Sequence, residues 1–130
     1  MSWSDAFVLF AVSHLVGDFL FQTEWQAANK FGGLGRSRVS RRALFSHVGT
    51  YALAFVPALV WVAADHGARV VWAVLLIVLT HLIQDDGRAL KAYIVSVKHS
   101  DLEAGGLVAV ATDQSFHAAF LLGAALAAAA

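Results

Sequence analysis

Three pairs of a histidine and an aspartate, each pair four residues apart, have the clearest capacity for chemistry in this sequence. A further histidine lies between the first two pairs, and the set is His14 with Asp18, His47, His81 with Asp85, and Asp113 with His117. Residues four apart project from one face of a helix. Mixed imidazole and carboxylate ligands suit Zn²⁺, Mn²⁺ or Fe²⁺, and the chain has no cysteine to supply thiolates. The pattern predicts that the set holds one or two divalent ions.

These polar residues lie in segments that are otherwise apolar. The chain is 59% hydrophobic and only 14% charged, and its mean hydropathy is +0.68. Soluble domains carry about 25% charged residues, and a core of this size could not bury so much apolar surface. The composition therefore predicts an integral membrane protein. The net charge of zero disfavours nucleic acid as a partner, and membrane lipid is the expected one. The first apolar segment lacks the features of a cleaved signal peptide.

We predict one all-α domain over residues 1–130, a bundle of four transmembrane helices. The spans cover about 4–26, 43–64, 70–95 and 107–130, with Trp3 and Trp25 at the two ends of the first and a polar loop over 97–106 before the last. Eight of the nine basic residues fall on one side: Lys30, Arg36, Arg38, Arg41, Arg42, Arg88, Lys91 and Lys98. Arg69 alone falls on the other. The positive-inside rule then makes the first and third loops cytoplasmic and leaves both termini outside.

The helical rise of 1.5 Å per residue lets the depth of each side chain be compared across the spans. The seven histidines and aspartates fall in one layer about 10 Å thick, in the cytoplasmic half. Ionisable groups at such depth are costly without partners and are generally functional. We expect all seven to be metal ligands: His14, Asp18, His47, His81, Asp85, Asp113 and His117.

Further residues are expected to support this cluster. Gln22 and Gln114 are predicted to hold the ligands in place. Asp18 or Asp86 is the expected general base, and Lys91 is expected to bind an anionic headgroup. The sequence leaves open whether Asp85 or Asp86 faces the cluster. It also leaves open a structural alternative, in which the polar layer only joins helices through hydrogen bonds.

The ordered pattern resembles a family of small bacterial and phage membrane proteins, the domain-of-unknown-function family numbered 3307. The resemblance is carried by His14-x-x-x-Asp18-Phe19-x-x-Gln22, then His47, His81-x-x-x-Asp85 and Asp113-Gln114-x-x-His117. It implies a bundle of several spans with shared polar residues in the bacterial inner membrane, and it implies no activity. A basic residue soon after the third motif is common in that family, and Lys91 or Arg88 fills this role loosely. A fainter similarity to membrane-bound metal-dependent hydrolases assigns no residue roles.

Three functions are compatible with these features. The first is a metal-dependent hydrolase acting on a lipid or a lipid-linked ester or phosphoester, because a bound divalent ion can activate water for hydrolysis near neutral pH. The second is a proton or divalent-metal transporter or channel subunit, which would require a homo-oligomer because four short spans leave little room for a pore. The third is a structural or phage accessory membrane protein without catalysis.

Overall fold

The computed structural model describes residues 1–100 and 106–130, and all regular structure in those ranges is helical. The prediction of an all-α protein is confirmed. The residues 101–105 of the predicted loop over 97–106 lie outside the described ranges. The elements in chain order are α1 (Trp3–Leu15), which continues as a π-helical segment (Val16–Phe21), α2 (Glu24–Asn29), α3 (Arg38–His66), a 3₁₀ turn (Gly67–Arg69), α4 (Val70–Asp85), α5 (Arg88–Val97) and α6 (Leu107–Ala129).

The first helical stretch ends earlier than the sequence predicted. Gln22 has an extended backbone after the π-helical segment, and Thr23 then caps the separate helix α2. The Thr23 hydroxyl accepts a hydrogen bond from the Gln26 N–H, and the Gln26 side chain accepts one from the Thr23 N–H. Such a capping box starts a new helix. The predicted span over 4–26 is therefore wrong at its end, and Trp25 lies on a different helix from Trp3.

The third predicted span, 70–95, is also too long. Helix α4 ends at Asp85, and Gly87 adopts a left-handed backbone with φ +75° before α5 begins at Arg88. A Cβ atom on Gly87 would lie 2.6 Å from the Phe31 ring, so only glycine fits this turn. The second predicted span, 43–64, falls inside the longer α3, and the fourth, 107–130, agrees with α6 to one residue.

Three helical stretches are long and apolar enough to cross a membrane: Trp3–Phe21, Arg38–Asp85 and Leu107–Ala129. The second of these contains both α3 and α4. The chain reverses direction at the turn Gly67–Arg69, so that α4 packs against α3. Large apolar side chains point outward along these stretches, including Leu20, Leu53 and Val60, each about two-thirds exposed or more. A soluble protein rarely leaves so much apolar surface uncovered. The exterior is therefore that of a membrane protein.

One half of the bundle has an apolar interior, which we call the apolar half. Its buried residues are Ala6, Phe10, Phe55, Ala58, Val62, Ala73, Ile77, Leu121, Ala124, Ala125 and Ala128. Phe10 and Phe55 place their ring centroids 6.1 Å apart. The alanines of α6 are small enough to let that helix approach α1 and α4 closely. The apolar half is thus held together by close packing of small and aromatic side chains.

Contacts at the two ends of the bundle show which parts of the chain share each end. At one end the N-terminal amine donates to the Asp65 carboxylate at 2.7 Å. At the other end the Gly32 N–H donates to the backbone carbonyl of Asp86 at 2.8 Å. The chain start and the turn after α3 therefore share one end, whereas residues 30–35 and the break after α4 share the other. The histidine and aspartate cluster lies toward this second end.

Candidate metal centre

Side chains from four helical segments meet inside the bundle, on the side opposite to the apolar half. The π-helical segment supplies Asp18, α3 supplies His47, and α4 supplies His81 and Asp85. Helix α6 adds His117, which is 2% exposed. The structure thus brings the predicted residues together from separate parts of the chain. Asp18 lies in the π-helical segment, a geometry that is rare in proteins overall and is found often at functional sites.

Four of these residues form a compact set, which we call the ligand tetrad: Asp18, His47, His81 and Asp85. His47 Nε2 lies 2.8 Å from Asp85 Oδ2, 3.1 Å from His81 Nε2 and 3.3 Å from Asp18 Oδ1. His81 Nε2 lies 3.4 Å from Asp85 Oδ2 and 3.6 Å from Asp18 Oδ1. Two imidazole nitrogens and two carboxylate oxygens therefore converge on one small volume.

The spacing of the ligand tetrad fits a single divalent ion. Nitrogen and oxygen ligands bound at 2.0–2.2 Å to a tetrahedral ion lie about 3.3–3.6 Å from one another. Three of these five separations have this value, and the two shorter ones, at 2.8 and 3.1 Å, need to open by up to about half an ångström to reach it. Asp18 Oδ1 is buried and has no hydrogen-bond partner among the described residues. An unpartnered buried carboxylate oxygen is costly, and a cation would satisfy it.

Hydrogen bonds fix which nitrogens of the histidines are available. His117 Nδ1 lies 2.9 Å from the backbone carbonyl of Asp113, which can only accept, so this nitrogen carries the proton. In the neutral form of His117, Nε2 then accepts from His81 Nδ1 at 3.0 Å. His81 Nε2 is then left with its lone pair directed into the ligand tetrad. A neighbouring hydrogen bond that fixes the tautomer of a ligand is typical of metal sites.

His47 completes this chain of imidazoles. Its Nε2 faces only acceptors, the lone pair of His81 and the carboxylate of Asp85, so it carries a proton as the structure stands. To become a ligand, His47 must hold that proton on Nδ1 instead. Nδ1 is buried and has no hydrogen-bond partner within the described part of the chain. Ion binding at His47 would therefore shift its proton from Nε2 to Nδ1 within the same ring and release none.

His14 and Gln114 belong to a second hydrogen-bonded chain beside the tetrad. The Gln114 amide donates to Asp113 Oδ2 at 3.2 Å, so its carbonyl oxygen accepts from His14 Nε2 at 3.0 Å. His14 Nδ1 then accepts from the Tyr51 hydroxyl at 3.1 Å. Both nitrogens of His14 are thus already used, although its geometry also groups it with Asp18 as a candidate ligand. Gln114 thus contacts both His14 and Asp113, and its supporting role stays a prediction.

Tyr51 is a residue that the sequence analysis missed. Its ring lies parallel to His81, with centroids 3.4 Å apart, and it fixes the plane of that imidazole. The ring also lies against Gly17, where a Cβ atom would be 2.5 Å from Tyr51 Cδ2. Tyr51 follows His47 by four residues, so the spacing rule that grouped the other pairs would have placed it on the same helix face.

Lys30 is the second residue that was missed. Its ammonium group donates to Asp85 Oδ2 at 2.6 Å, and the Asp85 side chain is 3% exposed. The sequence analysis had assigned Lys30 to a basic loop that sets topology. The capping box at Thr23 is the signal that could have located it, because a helix that restarts there carries the chain back toward the bundle.

Two other predicted site residues lie away from the cluster. Asp86 faces the loop, where its carboxylate accepts from the Leu34 N–H at 2.7 Å and from Arg88 Nε at 2.6 Å. Burial acts to raise the pKa of Asp86, but these hydrogen bonds outweigh it and hold the pKa below its usual value. Asp85 is therefore the acid that faces the cluster. Lys91 is exposed on α5, so neither Asp86 nor Lys91 has the predicted place in the site.

A cavity of about 370 Å³ leads from the bundle exterior to the cluster. Its polar lining includes Asp18, Asp85, Asp113, Lys30, Gln22, Gln84 and Gln114, and its apolar walls include Phe19, Phe31, Leu90 and Val110. Asp113 is the most accessible of the three carboxylates, with 26% of its side chain exposed. Gln22, predicted to support a ligand, has its amide nitrogen buried without a partner among the described residues. The cavity joins an apolar mouth to a polar floor.

The chain belongs to the DUF3307 family, described as proteins of unknown function, whose match covers residues 6–129. The resemblance noted in the sequence is thereby confirmed. Searches of curated proteins and of solved structures find no match. The family description gives no activity, and the buried histidines and aspartates of this chain are positioned to hold a metal ion.

Proposed function

We propose that this protein is a membrane-embedded, metal-dependent hydrolase that acts on a lipid or a lipid-linked ester or phosphoester. The single observation that carries the proposal is the convergence of the ligand tetrad on one ion-sized volume at the floor of a cavity with apolar walls. A divalent ion held there would supply Lewis acidity to a substrate oxygen or a water. Zn²⁺, Mn²⁺ and Fe²⁺ all suit the two imidazoles and two carboxylates.

The proposed arrangement in the membrane has four crossings. The Trp3–Phe21 stretch, α3, α4 and α6 would each cross once, and α4, at 16 residues, would be about 24 Å long. The excess of Lys and Arg near residues 30–42 and 88–98 favours a cytoplasmic position for that end, with both termini outside. The cluster would then lie in the cytoplasmic half of a bacterial inner membrane. This places the mouth of the cavity beside the inner leaflet.

We also assign roles in hydrolysis to other residues that line the cavity. Asp113 is the carboxylate most open to the cavity and lies outside the ligand tetrad, so we assign the general base to it instead of Asp18 or Asp86. The Gln114 amide holds Asp113 Oδ2 and leaves the second carboxylate oxygen to take a proton from water. Phe19 and Phe31 provide apolar contacts for a lipid chain at the mouth.

The decisive experiment measures metal in protein purified in detergent, by elemental analysis, with about one divalent ion per chain expected. His81→Ala should lose that ion, because it removes a nitrogen from the centre of the tetrad. His99→Asn is the matched control, since it removes an exposed imidazole outside the cluster from a residue with a positive φ that asparagine tolerates. A wild-type protein that binds no divalent ion, or a His81→Ala variant with full metal content, would contradict the proposal.

Transport is the second candidate, and one observation favours it. His47, His81 and His117 form a continuous chain of nitrogen–nitrogen contacts of 3.0–3.1 Å, which suits proton transfer. The apolar half argues against a transport path, because buried Phe10, Phe55 and Leu121 separate the cluster from the opposite end of the bundle. Proteoliposomes separate the two functions: flux that follows a pH or metal gradient and is lost in Asp18→Asn would favour transport.

A further inference from the structure

Two glutamines on the cavity wall have amide groups without partners. Gln22 Nε2 and both polar atoms of the Gln84 side chain are buried, and none has a hydrogen bond to any described residue. Both residues line the cavity that reaches the cluster. A buried amide without a partner is destabilising, so native proteins rarely keep several in one place without a ligand. The two amide nitrogens are donors, so they indicate a ligand that accepts hydrogen bonds, while the Gln84 carbonyl oxygen remains available as an acceptor.

Lys30 adds a positive charge to the same wall. Among the described residues that line the cavity, it is the only lysine or arginine. Its ammonium group contacts Asp85 Oδ2, which is also an oxygen of the ligand tetrad. A divalent ion bound to that oxygen would repel the ammonium and remove its partner. The flexible lysine side chain would then turn into the cavity, where it needs a new anion.

We infer that Lys30, Gln22 and Gln84 form a subsite for the phosphate group of a membrane lipid. The inference rests on the proposed function and narrows its substrate class to anionic phospholipids or lipid-linked phosphates. One ammonium and two amide donors match a phosphate group, which carries negative charge and several acceptor oxygens. The floor of the cavity then places the phosphorus-bearing group beside the ligand tetrad.

The apolar mouth of the cavity selects a lipid rather than free phosphate. Phe19, Phe31 and Val110 line it, and each is about half exposed on the outer surface of the bundle. An acyl chain attached to the phosphate can lie against these side chains, which gain contact area that inorganic phosphate cannot supply. The occupant is therefore an amphiphile whose charged end enters first.

The test titrates dodecyl phosphate into the protein in a neutral maltoside detergent, with binding measured by ³¹P NMR before and after metal removal. The metal-loaded wild type should bind it, and Lys30→Gln should weaken binding about tenfold or more, because a charge-assisted contact is lost. Lys30→Arg should keep most of the binding. Gln84→Leu should weaken it severalfold, and it remains informative if Lys30→Gln folds poorly. Lys91→Gln is the matched comparison, because it removes the same charge from an exposed position away from the cavity.

Each outcome supports or overturns the subsite. Equal binding by Lys30→Gln, Gln84→Leu and the wild type would overturn it, as would equal affinity for inorganic phosphate or for dodecyltrimethylammonium. Metal content measured on the same samples keeps this result separate from the proposed function. A wild type that holds no ion but binds dodecyl phosphate through Lys30 would refute the hydrolase and support the subsite, with the phosphate itself drawing Lys30 away from Asp85. An ion-loaded protein whose binding ignores Lys30 would do the reverse.

Discussion

The two halves of this bundle are built from the same helices but are held together by different forces. In the apolar half, Phe10, Phe55 and the alanines of α6 fill the interior by shape alone. In the polar half, the interior consists of histidines and aspartates whose contacts depend on protonation and on any bound ion. The apolar half can serve as a scaffold, because its packing requires no particular protonation state or bound ion.

The largest expected effect comes from the apolar half. Phe55→Ala should lower the free energy of unfolding by about 3–5 kcal/mol, because it leaves a cavity among fully buried neighbours. Unfolding in a mixed-detergent titration measures this loss. Leu53→Ala is the control, since Leu53 lies on the same helix with its side chain 65% exposed. If the halves are independent, Phe55→Ala keeps its metal content, and loss of the ion would contradict the comparison.

Removal of metal should destabilise only the polar half. An ion present at about 100 times its dissociation constant stabilises the folded protein by about 2.7 kcal/mol, and a chelator should abolish that gain. The same titration with and without chelator measures it. The chelator effect should persist in Phe55→Ala and disappear in Asp85→Asn, which lacks one charged ligand of the tetrad. A chelator effect of equal size in Asp85→Asn would show that the ion binds elsewhere.

The contact between the halves should respond to Gly17→Ala. The new methyl group would lie 2.5 Å from Tyr51 Cδ2, so the ring must move away from its position on His81. Such overpacking costs about 1–3 kcal/mol, and here it should also weaken metal binding. Isothermal titration with Zn²⁺ measures the affinity. Gly49→Ala is the matched control, because a Cβ atom there meets nothing within 4 Å. Unchanged affinity in Gly17→Ala would mean that Tyr51 does not orient His81.

The smallest effect concerns the loop beside the polar half. Because hydrogen bonds hold the pKa of Asp86 below its usual value, its carboxylate stabilises the loop above about pH 4, and this stabilisation is lost as the pH falls through the lowered pKa. Asp86→Asn should remove about 0.5–1.5 kcal/mol at neutral pH. Hydrogen exchange at the Leu34 amide, compared between the two proteins at each pH, measures it. Their rates should converge at low pH, and a constant difference would contradict this assignment.

The sequence predicted the polar half better than the boundaries of the helices. Spacing of four residues and a common depth were sufficient to group His14, His47, His81 and Asp113 with their partners, because both follow directly from helix geometry. The predicted spans ran through both breaks although polar residues mark them, Gln22-Thr23-Glu24 at the first and Asp85-Asp86-Gly87-Arg88 at the second. The π-helical segment has no sequence signal that we recognise.

Other features depended on local chemistry that hydropathy does not report. The capping box of Thr23 and Gln26 was readable in the sequence and would have corrected the first span. The contact between Lys30 and Asp85 joins residues 55 positions apart, so it could emerge only from the folded chain. The choice between Asp85 and Asp86 depends on where α4 ends, and the left-handed Gly87 decides that.

The adjacency of Asp85 and Asp86 has a consequence for how this sequence can change. The Asp85 carboxylate contacts Lys30 in the buried cluster, and the Asp86 carboxylate contacts the Leu34 N–H in the loop. Two residues joined by one peptide bond therefore belong to the interior and to the loop. Each residue of a helix is rotated by about 100° from the one before it. Inserting or deleting one residue between His81 and Gly87 would turn both acids away from their targets together. This segment can therefore exchange apolar side chains freely, but its length is fixed.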